Sequence, residues 1–360
     1  MSTSEYSQRR DTVVAALALN NVEALLVSSP ASIRYLTGYA GSNGLVLILP
    51  TESHFFTDPR YATDAQQNID CKVHICKKPL LDEAAKIAHR KRIQKLGFEP
   101  TWMRVDSFER LKKSLGSGIA LVGISGLIED MRAVKSPSEI AKIRASVLAN
   151  SEAFSKTLPR VREGMRELDI AAELDFQMRR AGAENNAFET IVAVGERTAL
   201  PHAHPTHRKI QSGDLLLIDM GAMLDGYASD MTRMANLGRA STKSRALYKA
   251  VLEAQLAALH AVKPGVAVRQ VDAAAREVLK RHKLDRAFVH STGHGLGLEI
   301  HEGPRIAKKQ TTKLQPGMVI TIEPGAYLEG QGGVRIEDTV LVTETGCEIL
   351  TPTTKELVQI

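Results

Sequence analysis

Two stretches of this 360-residue chain place carboxylates inside runs that otherwise read as buried strands, and any fold that accepts them must supply counter-charge. Leu215 to Met234 (LLLIDMGAMLDGYASDMTRM) reads as two strands around a turn containing Asp225-Gly226. If the turn is centred between Leu224 and Asp225, Asp219 faces Asp230 directly; centred on Asp225-Gly226, it still leaves both on one face, since strand side chains alternate with period two. Val319 to Leu341 (VITIEPGAYLEGQGGVRIEDTVL) repeats the arrangement around a glycine-rich loop, with Glu323 near its start and Glu337 near its end. Like charges set side by side are destabilising, so cations between them are expected. Arg335 supplies one charge from the strand face that carries Glu337.

A third segment, His290 to Glu302 (HSTGHGLGLEIHE), contains His290, His294 and His301. Gly293, Gly295 and Gly297 speak against a helical zinc motif, and their spacing is not that of a dinucleotide loop; they let the backbone crowd a site. At least one of these imidazoles is expected to ligate metal. Four carboxylates with one imidazole form a hard, oxygen-rich donor set suited to manganese, with zinc or cobalt as alternatives. Four negative charges exceed what one divalent cation neutralises. Two ions about 3.5 to 4 Å apart activate water and polarise a carbonyl, which is hydrolytic equipment.

The length suits two domains, with a boundary near residue 130: 1–130 as an α/β layer and 131–360 carrying the chemistry. The first is expected to contain a helix near Arg10 to Asn20 and strands at Ala24 to Ser28 and Gly44 to Leu49. Ser136-Pro137-Ser138-Glu139 forms a capping box that starts a long helix ending before Pro159; another runs from Glu167 to Arg180 and stops at Gly182. The same order recurs in helices at Thr242 to Val262 and Val268 to Arg281. Leu168–Ala172 can be laid over Val271–Ala275, Asp219 over Glu323 and Asp230 over Glu337, which suggests a duplicated unit whose sheets meet at one centre.

A net charge of +6, from 47 basic against 41 acidic residues, is a small excess on a mixed surface, and a solvated helix face accounts for the dense run Lys86 to Lys95, so no nucleic-acid partner is expected. No stretch reaches membrane-spanning length, so no membrane partner is expected either. Met1 to Thr12 lacks the apolar core of a secretion signal, and Cys71, Cys76 and Cys347 are too sparse for a disulfide framework, so reduced thiols and a cytoplasmic location are expected. Cys71 and Cys76 flank His74, but the alternation of Val73 and Ile75 reads as a strand rather than a metal loop.

On the quoted segments, together with LPHAHP (His202), IRYLTGYAGSNG and FFTDPRYA, the chain resembles the pita-bread metallopeptidases that act on Xaa-Pro bonds, aminopeptidase P and prolidase. The resemblance implies an α/β creatinase-like N-terminal domain and an α+β pita-bread catalytic domain with an internal pseudo-twofold repeat. It makes Asp230 and Glu337 carboxylates shared by both ions, Asp219 a ligand of one ion, and His294 with Glu323 ligands of the other. It puts His202, His290 and His301 on the substrate side, Arg335 behind the ligands, and Glu323 in the further role of proton carrier. The implied substrates are peptides or dipeptides with proline second, and the implied assembly is a homodimer or larger. Aminopeptidase P is the preferred reading and prolidase the alternative; a methionine aminopeptidase or a non-peptidase creatinase-like protein ranks behind both. Ala203 departs from the glycine common after the family's histidine, and His204 beside it reads as a solvated loop residue.

Overall fold

The computed structural model describes residues 4–360, which leaves the first three residues of the Met1 to Thr12 stretch outside the description. The chain divides into two compact units, one ending at Met131 and the other running from Arg132 to Ile360. Among the described residues no helix is long and apolar enough to cross a membrane.

The first unit is built on a six-stranded mixed sheet in the order β4-β3-β2-β1-β5-β6: β1 (Ala24–Val27), β2 (Leu45–Ile48), β3 (Ser53–Thr57), β4 (Lys72–Ile75), β5 (Lys95–Phe98) and β6 (Ala120–Gly123). Its central strands bury every side chain, which explains their unbroken apolar runs. The first helix spans Glu5–Leu17, earlier than the apolar pattern suggests, because Ser4 caps it. The basic run is not one helix face: it crosses the end of helix Leu80–Arg90, a turn, and the start of β5. His74 lies on β4 and pairs with His54 (Nε2 to Nδ1, 2.9 Å), and all three cysteines are free.

The second unit consists of two similar halves. Ser136 and Glu139 close the capping box of helix Pro137–Thr157, which packs with Glu167–Arg180; helices Thr242–Ala261 and Val268–Arg281 form the corresponding pair. Backbone detail repeats as well. Gly164 and Gly265 both adopt positive φ and donate to Ile210 and Leu314 carbonyls, while Gly213 and Gly317 do the same toward Leu237 and Val342. In the first half Phe154, Leu174 and Met178 cover Leu216 and Ile218; in the second Val251, Ala254 and Ala275 cover Ile320 and Ile322. Each of the larger side chains among these is worth roughly 1.5–3 kcal/mol of hydrophobic stabilisation when fully buried, and each alanine less.

Strand Leu215–Met220 lies in a four-stranded sheet and Val319–Ile322 in a five-stranded one. Alternation sends Leu215, Leu217 and Asp219 toward the second half's core, whereas Val319 packs with Ile143, Val147 and Tyr227 of the first. The carboxylates therefore stand on mutually facing surfaces.

Of the two turn centres the sequence leaves open, the first hairpin adopts the second, and both hairpins depart from the sequence reading in being broken. The first turn is centred on Asp225-Gly226, both at positive φ, so Asp219 pairs with Thr232 and Asp230 sits diagonally to it. Direct opposition is instead found in the second hairpin, where the registers Ile322↔Asp338 and Gly325↔Arg335 set Glu323 across from Glu337. Both hairpins also break in the middle into separate small sheets, at Gly221/Asp230 and at Glu323/Glu337. The breaks fall at Asp230 in one hairpin and at Glu337 in the other, the two residues that the repeat offset lays over each other.

Candidate metal centre

The two halves meet along Asp230–Arg233 and Glu337–Thr339. The Thr339 hydroxyl donates to the Asp230 carbonyl (2.8 Å), the Glu337 N–H to the Thr232 carbonyl (3.2 Å), and the fully buried Arg233 to Asp338 (2.6 Å) and the Glu337 carbonyl (2.5 Å). This backbone stitching brings Asp219, Asp230, Glu323 and Glu337 to one place. Arg335 reaches Asp219 Oδ2 through Nη2 (2.5 Å), Thr232 Oγ1 through Nε (3.0 Å) and Tyr327 Oη through Nη1 (2.8 Å). Thr232 in turn donates to Glu337 Oε2 (2.7 Å).

The histidines separate by what their ring nitrogens already hold. His290 donates from Nδ1 to the Ser291 carbonyl (2.8 Å), and its Nε2 accepts from the Tyr327 hydroxyl (2.8 Å), so both nitrogens are occupied. His294 donates from Nδ1 to the Gly295 carbonyl (3.0 Å), which leaves the Nε2 lone pair 3.5 Å from both Asp230 Oδ2 and Glu323 Oε1. Burial pushes both imidazoles down to about 4, so they are neutral near pH 7. His301 stacks edge-on against His294 with ring centroids 4.5 Å apart, and burial lowers it as well. The glycines allow this crowding: a Cβ on Gly293 would stand 1.9 Å from the Thr321 carbonyl oxygen, and one on Gly295 2.0 Å from that of Gly303.

Desolvation, then repulsion from Asp219 and Glu323, raises Asp230 well above the carboxylate range; desolvation and Asp230 do the same to Glu337. Glu323 is raised to about 7, again by burial first. Arg335 neutralises one of four acids. Asp219 Oδ1 and Asp230 Oδ1 are buried without a hydrogen-bond partner, and ligand atoms of Asp230, His294 and Glu337 all lie within 4.8 Å of one another. An imidazole lone pair aimed at carboxylate oxygens, with orphaned oxygens beside it, is an arrangement that bound cations would complete. Oxygen-rich donors with one neutral imidazole fit divalent first-row ions.

All nine residues singled out from the sequence line one cavity of about 640 Å³. His202 is exposed on its rim, and His204, 78% exposed, pairs with Glu189 (2.9 Å), which matches a solvated loop residue. Sequence reasoning missed Thr232, Tyr327 and Arg305. Tyr327 carried one signal: it pairs across the hairpin with Gly333, where any Cβ would stand 2.7 Å from its ring.

Residues 141–344 match the model of metallopeptidase family M24, and residues 9–134 match the creatinase/prolidase N-terminal domain. An Xaa-Pro dipeptidase of Pyrococcus furiosus is 37% identical over 97% of this chain and 99% of its own length. Among solved structures, an Xaa-Pro dipeptidase from Bacillus anthracis superposes with a TM-score of 0.96 at 36% identity, covering 99% of this chain and 100% of that one. An X-Pro aminopeptidase from Thermotoga maritima gives 0.90 at 36% identity, covering 96% and 100%. With a family match that spans all four carboxylates and His294, and relatives aligned almost end to end, the chain belongs to metallopeptidase family M24 and carries a creatinase/prolidase-type N-terminal domain.

Proposed function

We propose that the protein is an Xaa-Pro dipeptidase, with Asp219, Asp230, His294, Glu323 and Glu337 holding two divalent ions, manganese by preference. The observation that carries the reading is the His294 Nε2 lone pair facing Asp230 and Glu323 within a cluster whose buried oxygens lack partners. When bound, the ions supply an activated water nucleophile and a Lewis acid for the scissile carbonyl.

The chain's own residues do the rest. Glu323 carries the proton toward the leaving prolyl nitrogen; its Oε2 faces His290 Nδ1 at 3.9 Å. The Ser291 carbonyl takes the His290 Nδ1–H and so fixes the tautomer, leaving Nε2 to accept from the Tyr327 hydroxyl. Arg335 holds Asp219 and Tyr327 in place. His202 and His301 line the substrate side of the cavity.

Substrate length turns on Arg305. Its exposed guanidinium lines the same cavity and makes no hydrogen bond or ion pair among the described residues, a fitting partner for the free carboxylate of a dipeptide's proline. This favours the dipeptidase over the aminopeptidase preferred from sequence, as do the names of the dipeptidase relatives from Pyrococcus furiosus and Bacillus anthracis. Aminopeptidase P is the second reading, favoured by the likeness to the Thermotoga maritima enzyme. A series of Xaa-Pro, Xaa-Pro-Yaa and longer peptides with added Mn²⁺ decides: cleavage confined to dipeptides is expected, and equal cleavage of tripeptides overturns the preference. Asp230→Asn abolishes turnover of every member of the series.

A further inference from the structure

Glu302 follows His301 directly, yet its side chain is only 4% exposed and coordinates no part of the carboxylate cluster. Its carboxylate accepts from the Glu299 backbone N–H (3.1 Å), Arg132 Nη2 (2.5 Å) and Lys135 Nζ (3.1 Å), and both cations are buried. Lys135 and Arg132 hold the carboxyl below its usual range despite burial. The oxygens press against Gly297, where a Cβ would approach them to 2.7 Å. Gly297 in turn accepts from the Ala228 N–H (2.7 Å), two residues before Asp230. The cations are themselves anchored: the Lys135 N–H donates to the Gly317 carbonyl (2.9 Å), and Val134 bridges Met318. The 296–302 turn is thereby wrapped around a buried charge cluster, with His294 just before it and His301 at its end.

We propose that Glu302, clamped by Lys135 and Arg132, is a positioning residue that sets the His301 imidazole against His294 and toward bound substrate. The proposal rests on the reading of His301 as a substrate-side group. Glu302 makes no hydrogen bond or ion pair with Asp219, Asp230, His294, Glu323 or Glu337; what it fixes is the reach of one imidazole, and sub-ångström misplacement of such a group costs activity steeply.

The test is a double-mutant cycle on the full chain, with an Xaa-Pro dipeptide as substrate and saturating Mn²⁺. Glu302→Gln is expected to lower kcat/KM about tenfold in the parent but less than about twofold in a His301→Ala background, with bound manganese unchanged. A role in stability alone lowers both backgrounds equally, and that result overturns the proposal. Because Glu302→Gln strands the buried Lys135 and leaves Arg132 paired with Glu299 alone, Lys135→Met/Glu302→Gln is measured beside it; it folds more readily and shows the same loss only where His301 is present. A parent that hydrolyses no Xaa-Pro peptide overturns the proposed function itself. That is a different result from an active parent in which Glu302→Gln keeps its kcat/KM.

Discussion

Removing a charge from the metal centre should make the metal-free protein more stable, and Glu323→Gln is the cleanest case. In the unfolded chain the Glu323 carboxyl titrates near 4.5, and in the folded, metal-free protein burial raises it to about 7. Below pH 4.5 it is protonated in both states and costs nothing. Between 4.5 and 7 the folded state binds the extra proton, so stability falls as pH rises; above 7 the full cost stands. A displacement of roughly 2.5 pH units at 1.36 kcal/mol each amounts to about 3 kcal/mol. Glutamine keeps an oxygen for the Thr321 hydroxyl (3.3 Å) and carries no charge. In excess chelator at pH 8 the variant should therefore melt about 6–12 °C above the parent, and the gap should close near pH 4.5. With saturating Mn²⁺ the order reverses, because the parent gains ligand-linked stability through a carboxylate the variant lacks. Calorimetry is the right assay, since the single tryptophan, Trp102, lies in the other unit and does not report on this one. If the chelated parent equals or exceeds the variant at pH 8, or if the gap persists at pH 4.5, the account of a charge-frustrated centre is wrong.

Arg305→Met should lower kcat/KM for Xaa-Pro dipeptides by about 10- to 100-fold, mostly through KM, while an amidated Xaa-Pro substrate loses little, as steady-state kinetics will read. Tyr327→Phe leaves His290 Nε2 and Arg335 Nη1 without their shared partner; a loss of about 1–3 kcal/mol in stability and a lower kcat are expected from denaturation and kinetics together. Glu302 contributes stability that is present above the unfolded carboxyl value and lost as pH falls through its lowered folded value. Its glutamine variant should therefore be about 3–5 kcal/mol less stable at pH 7, with the deficit shrinking below about pH 4.5; a deficit independent of pH contradicts the buried ion pair.

Local chemistry made much of this protein readable along the chain. The capping box at Ser136–Glu139 starts its helix where a Ser-Pro-x-Glu pattern must, and Glu167–Arg180 and Val268–Arg281 follow from apolar periodicity and flanking breakers. Acids inside apolar strands marked Asp219, Asp230, Glu323 and Glu337, since burying a carboxylate demands a cation wherever the strand ends up. Tertiary structure decided the rest. Whether Asp219 faces Asp230 or Thr232 depends on where one turn is centred, and a shift of one residue in that centre changes every partner across the hairpin. Which histidine can offer a lone pair depends on partners distant in sequence, since Tyr327 occupies Nε2 of His290 whereas nothing does so for His294 except acids that need a cation. The hold of Lys135 and Arg132 on Glu302 spans about half the chain. Period and propensity act over a few residues; register, tautomer and long-range charge pairing are set only when the two halves pack.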